Sequence, residues 1–205
     1  MIVRTAPEFR GEPLLRQIAA IGCVATVIFA LTVCSRAEGS ELGQWAGSAP
    51  PSFILPSVEG HEVALGAQHA DAVIVHFFAT WCEPCREELP ALTRLSRRAG
   101  SSVRILAISV AEPDARVRRF MQSMPTDFPV LLDADRAVAK SWKVMTLPTT
   151  FVLDSHLKPR LVVETDYAWD KVDPLKLIDT LSAGNGPNTS NPLTQNLEGK
   201  SHVLR

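Results

Sequence analysis

Cysteine is scarce in this chain: four occur in 205 residues, and only Cys82 and Cys85 form a close pair. A structural zinc site draws four ligands, commonly from two such pairs, and no second pair follows. Histidine is thin as well. His61, His69 and His156 are scattered and His76 lies inside an apolar run, so no His or Met cluster offers a soft-metal cage. Charge of one sign is also missing: 21 Lys and Arg against 22 Asp and Glu leave a formal net charge of −1. With that balance nothing global points to nucleic acid. The arginines that do cluster, Arg94, Arg97 and Arg98 and then Arg116, Arg118 and Arg119, fall in helical stretches with apolar partners and read as solvated faces. No internal repeat is present, and the length suits one domain with a real core plus short extensions. No motif calls for a cofactor or a resident metal.

The informative stretch is AVIVHFFATWCEPCREELPAL, Ala72 to Leu92. Ala72 to Phe78 is a short apolar block rich in β-branched and aromatic residues and predicts a strand buried on both faces. Leu89, Leu92 and Leu95 then give a helical pattern. With Cys82 at the N-cap, Pro84 falls in the first turn, where its missing N–H costs nothing. The unpaired amides and positive end of the helix face Cys82 and favour thiolate over thiol. Two intervening residues bring the sulfurs within disulfide reach across one turn. The chemistry that follows is attack of a thiolate on a disulfide, a mixed disulfide, and release by the second thiol.

WCEPCREELP, from Trp81 to Pro90, followed by LPTTFVLD, from Leu147 to Asp154, resembles the thioredoxin superfamily and, within it, the membrane-tethered TlpA/ResA-like thiol-disulfide oxidoreductases. The resemblance covers roughly residues 50–181. It implies Cys82 as the attacking sulfur and Cys85 as the resolving one, with Trp81 beside the nucleophile. Pro84 limits the geometry of the helix opening, and the charge of Glu83 opposes thiolate formation, which points to a reductant with a potential nearer roughly −270 mV than roughly −120 mV. Glu88 completes CEPCxxE, in which the acid assists thiol proton transfer; the competing reading is an exposed helix charge paired with Arg86 or Arg94. His76 stands where thioredoxins carry a buried Asp, and serves either as a proton shuttle or as a core hydrogen-bonding group. Pro148 matches the cis-proline loop, which lets the Leu147 backbone pair with an extended substrate beside Cys82. Thr146 replaces the usual Gly before Leu147-Pro148, and Leu157 stands where a turn Gly is common; both bear on the shape of the loops.

The flanks predict location. Ile18 to Val33 is apolar, preceded by Arg4, Arg10 and Arg16, and reads as an export segment with its basic side in the cytoplasm. Residues 1–36 then form a basic flank and signal-anchor, uncleaved or cut after Ala37, with Cys23 and Cys34 as apolar fillers. Residues 37–50 read as a flexible tether in which Trp45 rests at the membrane interface, 51–182 as the thioredoxin-like domain, and 183–205 as a disordered tail.

Within the domain, Ser52 to Leu55 and His61 to Leu65 flank the turn-like Glu59-Gly60 and predict an N-terminal β-hairpin. Val103 to Val110, Phe128 to Leu132, Thr149 to Leu153 and Leu161 to Glu164 read as strands. Helices follow Asp114, Asp133 or Asp135, and Asp173-Pro174. The expected fold is α/β, a thioredoxin fold whose central mixed β-sheet has helices on both faces and an antiparallel hairpin at its edge. The combined expectation is a periplasmic protein-disulfide reductase at the inner membrane. Its electrons would come from a membrane thiol relay of the DsbD/CcdA kind, and its substrates would be apocytochrome c haem-site cysteines or those of a copper-site assembly factor. The rivals are a DsbA-like oxidant, for which the Val110 to Ala111 junction leaves no helical insertion, and a tethered copper chaperone.

Overall fold

The computed structural model describes residues 40–183. The expected export segment, the cut after Ala37, Cys23, Cys34 and the tail beyond Ala183 lie outside the described residues. Among the described residues no helix is long and apolar enough to cross a membrane.

The elements in chain order are β1 (Gly43–Gln44), β2 (Ile54–Pro56), β3 (Glu62–Ala64), β4 (Ala72–Phe78), α1 (Glu83–Ala99), β5 (Val103–Val110), α2 (Asp114–Ser123), β6 (Val130–Asp133), α3 (Ala137–Ser141), β7 (Thr149–Asp154), β8 (Pro159–Val163) and α4 (Pro174–Ala183), with short 3-10 turns at Leu65–Ala67 and Trp169–Lys171. Six strands form one mixed sheet in the order β1-β8-β7-β4-β5-β6, and β2 and β3 pair as a separate hairpin. Strands β4, β5 and β6 are parallel, as helical crossovers require, whereas β7 runs antiparallel to β4. This is the thioredoxin arrangement that the motif order predicts.

All seven residues of β4 are buried. Alternate residues feed two cores. Ala72, Ile74 and Phe78 join Cys85, Leu89, Leu92 and Leu95 of α1, Val117 and Met121 of α2, and Leu177 and Leu181 of α4. On the opposite face Val73, Val75 and Phe77 pack with Trp142, Ala139 of α3, and Leu55 and Val63 of the hairpin. Each large apolar side chain so enclosed contributes about 1.5–3 kcal/mol, which fixes the register of β4 and hence the height at which it releases the chain to Cys82.

Several details depart from the sequence reading. Part of the 37–50 stretch is sheet and not tether: β1 pairs with Val162 and Leu161 of β8, so the outermost strand on that side is β1. Trp45 packs edge-on against Phe151, ring centroids 5.2 Å apart, because its indole finds apolar cover on the sheet. Asp114 is the first residue of α2 and not its cap; Pro113 takes that place without a side-chain bond. Leu175 faces solvent, and Leu177 and Leu181 carry the inner face of α4. Pro90 sits inside α1, where it removes the bond to the Arg86 carbonyl. Leu157 has φ 59, the left-handed conformation that favours glycine.

Candidate active site

The end of β4 and the start of α1 place the two sulfurs. Cys82 is the N-cap, in extended backbone, and its Sγ accepts the amide of Cys85 at 3.4 Å. Pro84 occupies the first turn. Cys82 and Cys85 are joined in a disulfide with Cα atoms 5.3 Å apart. Cys85 is fully enclosed and Cys82 retains 6% exposure, so Cys82 is the sulfur that a partner reaches first. Trp81, the residue before Cys82, stands out at 65% exposure, with little packing role. The bond from Leu147 to Pro148 is cis. Thr146 needs no left-handed backbone; its hydroxyl instead donates to the Glu164 carbonyl at 3.2 Å.

Glu83 is the first residue of α1 and lies 3.0 Å from Arg86, with both side chains well exposed. The ion pair and surrounding water weaken the field that Glu83 was expected to exert on Cys82.

Glu88, one turn beyond Cys85, is buried to 3% exposure. Its Oε1 accepts the Tyr167 amide at 2.9 Å and the Trp169 indole N–H at 2.6 Å, and its Oε2 has no partner. Burial pushes its pKa up to about 7, helped by the charge of Asp166 and opposed by those two hydrogen bonds. The exposed ion-pair reading of Glu88 is therefore overturned: Arg86 goes to Glu83, and Arg94 makes two 2.7 Å bonds to Asp170.

These arginines also correct the expectation of a purely solvated face. Arg94 holds Asp170, and Arg98 donates to the carbonyls of Trp169, Asp170 and Val172. Together they pin the 3-10 turn to α1 and deliver the Trp169 indole to Glu88. Arg97 pairs with Asp127.

His76 is fully buried on the α1 side of β4, opposite Thr150. Its Nδ1 lies 2.8 Å from Thr150 Oγ1, and Nε2 has no partner. Burial lowers its pKa to about 3, so the ring is neutral in the folded chain. Its structural part is thus a core hydrogen bond to Thr150.

Glu112 was not apparent from sequence. It follows Ala111, whose φ of 58 turns the chain back so that the carboxylate meets the segment before Trp81. Glu112 accepts the Thr80 amide at 2.7 Å, the Thr80 hydroxyl at 2.5 Å and the Ser109 hydroxyl at 2.9 Å. Three donors compensate its burial and hold the peptide that leads into Cys82. The available signal was positional: an acid just past β5, at the carboxyl ends of the parallel strands where open α/β sheets place their sites. Tyr167 and Trp169 carried no such signal, because only the folded turn brings them to Glu88.

Among the described residues, no group of three or more His, Cys, Asp and Glu is placed to hold a metal ion. The arrangement is a two-sulfur couple at a helix N-terminus with one neutral-range carboxyl beneath it.

The family described as AhpC/TSA matches residues 46–160. Thiol-disulfide oxidoreductase ResA of Bacillus subtilis is 37% identical over 118 residues, 57% of this chain and 66% of the relative. ResA of Geobacillus kaustophilus is 33% identical over 120 residues, 57% and 68%. The thioredoxin-like protein YneN of Bacillus subtilis is 32% identical over 117 residues, 56% and 68%. The chain thus spans about two thirds of the length of these relatives. Among solved structures, StoA from Bacillus subtilis superposes with a TM-score of 0.53 at 21% identity, covering 65% of this chain and 98% of that one. A thiol:disulfide interchange protein from Chlorobium tepidum does so at 0.55 and 23%, covering 68% and 97%. At such identities the superpositions bear on the fold alone.

Proposed function

The chain belongs to the AhpC/TSA family, and from that premise we propose that its thiol-disulfide oxidoreductase chemistry runs as a protein-disulfide reductase on the periplasmic face of the inner membrane. The observation that carries the reading is the Cys82–Cys85 couple capping α1 above the buried Glu88.

In the reduced protein the Cys82 thiolate attacks one sulfur of a substrate disulfide. The substrate S–S bond breaks, a mixed disulfide forms, and one substrate sulfur leaves as thiolate. Cys85 loses its proton and attacks Cys82 Sγ, which restores the intramolecular disulfide and releases the substrate as a dithiol. Two electrons pass to the substrate. Glu88, held near neutrality by burial, serves as proton acceptor for Cys85 in this direction and as donor in the reverse. Pro148 and Leu147 line up the substrate backbone, and Trp81 shields the reacting sulfur.

The oxidised couple is recharged by a membrane dithiol relay of the DsbD/CcdA type, and the N-terminal segment tethers the domain beside it. Substrates are the haem-site cysteines of apocytochrome c or the cysteines of a copper-site assembly factor. A glutathione redox titration tests the direction. A midpoint near roughly −270 mV supports a reductase, and one near roughly −120 mV reverses the assignment to an oxidant.

A further inference from the structure

Two cavities share Trp81 as a common wall. One, of about 250 Å³, is lined by Val144, Met145, Leu147 and Arg136. The other, of about 420 Å³, is lined by Thr80, Phe120, Arg116 and Arg119. Met145 is 82% exposed, an apolar side chain left in water beside the exposed Trp81. Every charged side chain that lines either cavity is an arginine. None of the three has a side-chain hydrogen bond or ion pair among the described residues.

The carboxylates near them are mostly engaged elsewhere. Glu83 is paired with Arg86, whose guanidinium sits 5.9 Å over the Phe120 ring. Glu112 is buried against Thr80 and Ser109. Asp133 accepts the amides of Val138 and Ala139, and Asp135 that of Ala137. Asp114, Glu87, Glu164 and Asp166 are exposed but line neither cavity. In a chain of formal net charge −1, the walls of the two cavities beside Trp81 therefore carry charge of one sign, positive.

Arginines with no carboxylate in the same cavity wall leave an electrostatic surface that a partner of opposite sign completes. We propose that this site selects acidic substrates: polypeptides whose disulfide has an apolar residue beside the cysteine, seated between Trp81 and Met145, and carboxylates further along that reach Arg136 on one side and Arg116 and Arg119 on the other. The inference rests on the reductase reading and names the substrate class for it. Arginine suits this task because its planar fork meets a carboxylate through two parallel hydrogen bonds.

The test uses the full chain, reduced, and three synthetic peptides with the same internal disulfide and apolar neighbour but flanks of Glu, Gln or Lys. Peptide reduction is followed at about 0.01 M and about 1 M salt, where the screening length falls from about 30 Å to about 3 Å. The expected order of kcat/KM is Glu above Gln above Lys, with Glu exceeding Lys by about tenfold at low salt and by less than about twofold at high salt. The triple variant Arg116→Glu, Arg119→Glu, Arg136→Glu reverses the order. Equal rates for the three peptides at low salt overturn the proposal while leaving the reductase reading intact. Reduction of none of them overturns the reductase reading itself. If the triple variant does not fold, the order and salt dependence in the unmodified protein decide alone.

Discussion

Replacing Glu88 by Gln keeps an acceptor for the Tyr167 amide and the Trp169 indole while removing the ionisable proton. Burial holds the folded-state pKa at about 7, against 4.5 for an ordinary glutamate. A carboxyl whose pKa is raised by folding keeps its proton more tightly in the folded chain. Its contribution is therefore complete below pH 4.5 and is lost as pH rises through about 7. At about 1.4 kcal/mol per pH unit over that interval, ionised Glu88 costs the folded protein about 3 kcal/mol on the alkaline side. His76 works in the opposite sense. Its folded pKa of about 3 lies below 6.5, so its contribution is present above pH 6.5 and lost as pH falls through about 3. Between pH 4.5 and 6.5 the two slopes oppose each other and flatten the stability curve. Urea unfolding of oxidised protein, followed by tryptophan fluorescence across this range, reads the difference. Glu88→Gln should match the parent near pH 4.5 and exceed it by about 3 kcal/mol at about pH 8, uncovering the rising slope of His76. A difference between the two proteins that does not change with pH would refute the claim that Glu88 is ionised at a cost.

His76→Asn retains a partner for Thr150 and removes the buried base; its acid unfolding midpoint should move to lower pH, and an unmoved midpoint in acid titration would assign the acid loss to other groups. Glu112→Ala leaves the partly buried Thr80 amide without its acceptor and should cost about 1 kcal/mol in urea unfolding and slow peptide reduction, whereas an unchanged exchange rate would show that Thr80 positions nothing. Lys143 is exposed with φ 57, so Lys143→Gly relieves left-handed strain without losing packing. It should raise stability by about 0.5–1 kcal/mol, or Tm by about 2–4 °C in calorimetry, and a fall in Tm would contradict it.

The fold was legible where one element settles its own structure. Ala72 to Phe78 is apolar throughout, Cys82-Glu83-Pro84-Cys85 contains its own helix start, and Val103 to Val110 is bounded by Gly100 and the Ala111-Glu112-Pro113 turn; all three lie where the pattern puts them. The hairpin appears as Ile54–Pro56 and Glu62–Ala64, with Gly60 at φ 94 in its turn. Gly43–Gln44 could not be read as a strand, since a glycine and a glutamine carry no strand pattern of their own and acquire strand character only by pairing with β8. At the site, the cysteines were visible through local spacing and Glu88 through the resemblance of CEPCxxE to the family's pattern. The Glu88 partners were not, because Tyr167 and Trp169 lie about eighty residues downstream and reach it through the Arg94–Asp170 bonds. Glu112 likewise depends on the reversed backbone at Ala111, an unfavourable conformation for a non-glycine residue that no local pattern announces.

Trapping decides whether one outward sulfur attacks and the inner one resolves. Full-length Cys85→Ser protein, reduced and mixed with a disulfide-containing protein substrate, should accumulate a mixed disulfide that mass spectrometry maps to Cys82. Cys82→Ser should accumulate none. A mixed disulfide of equal yield through Cys85, or undiminished turnover in either serine variant, would contradict the account.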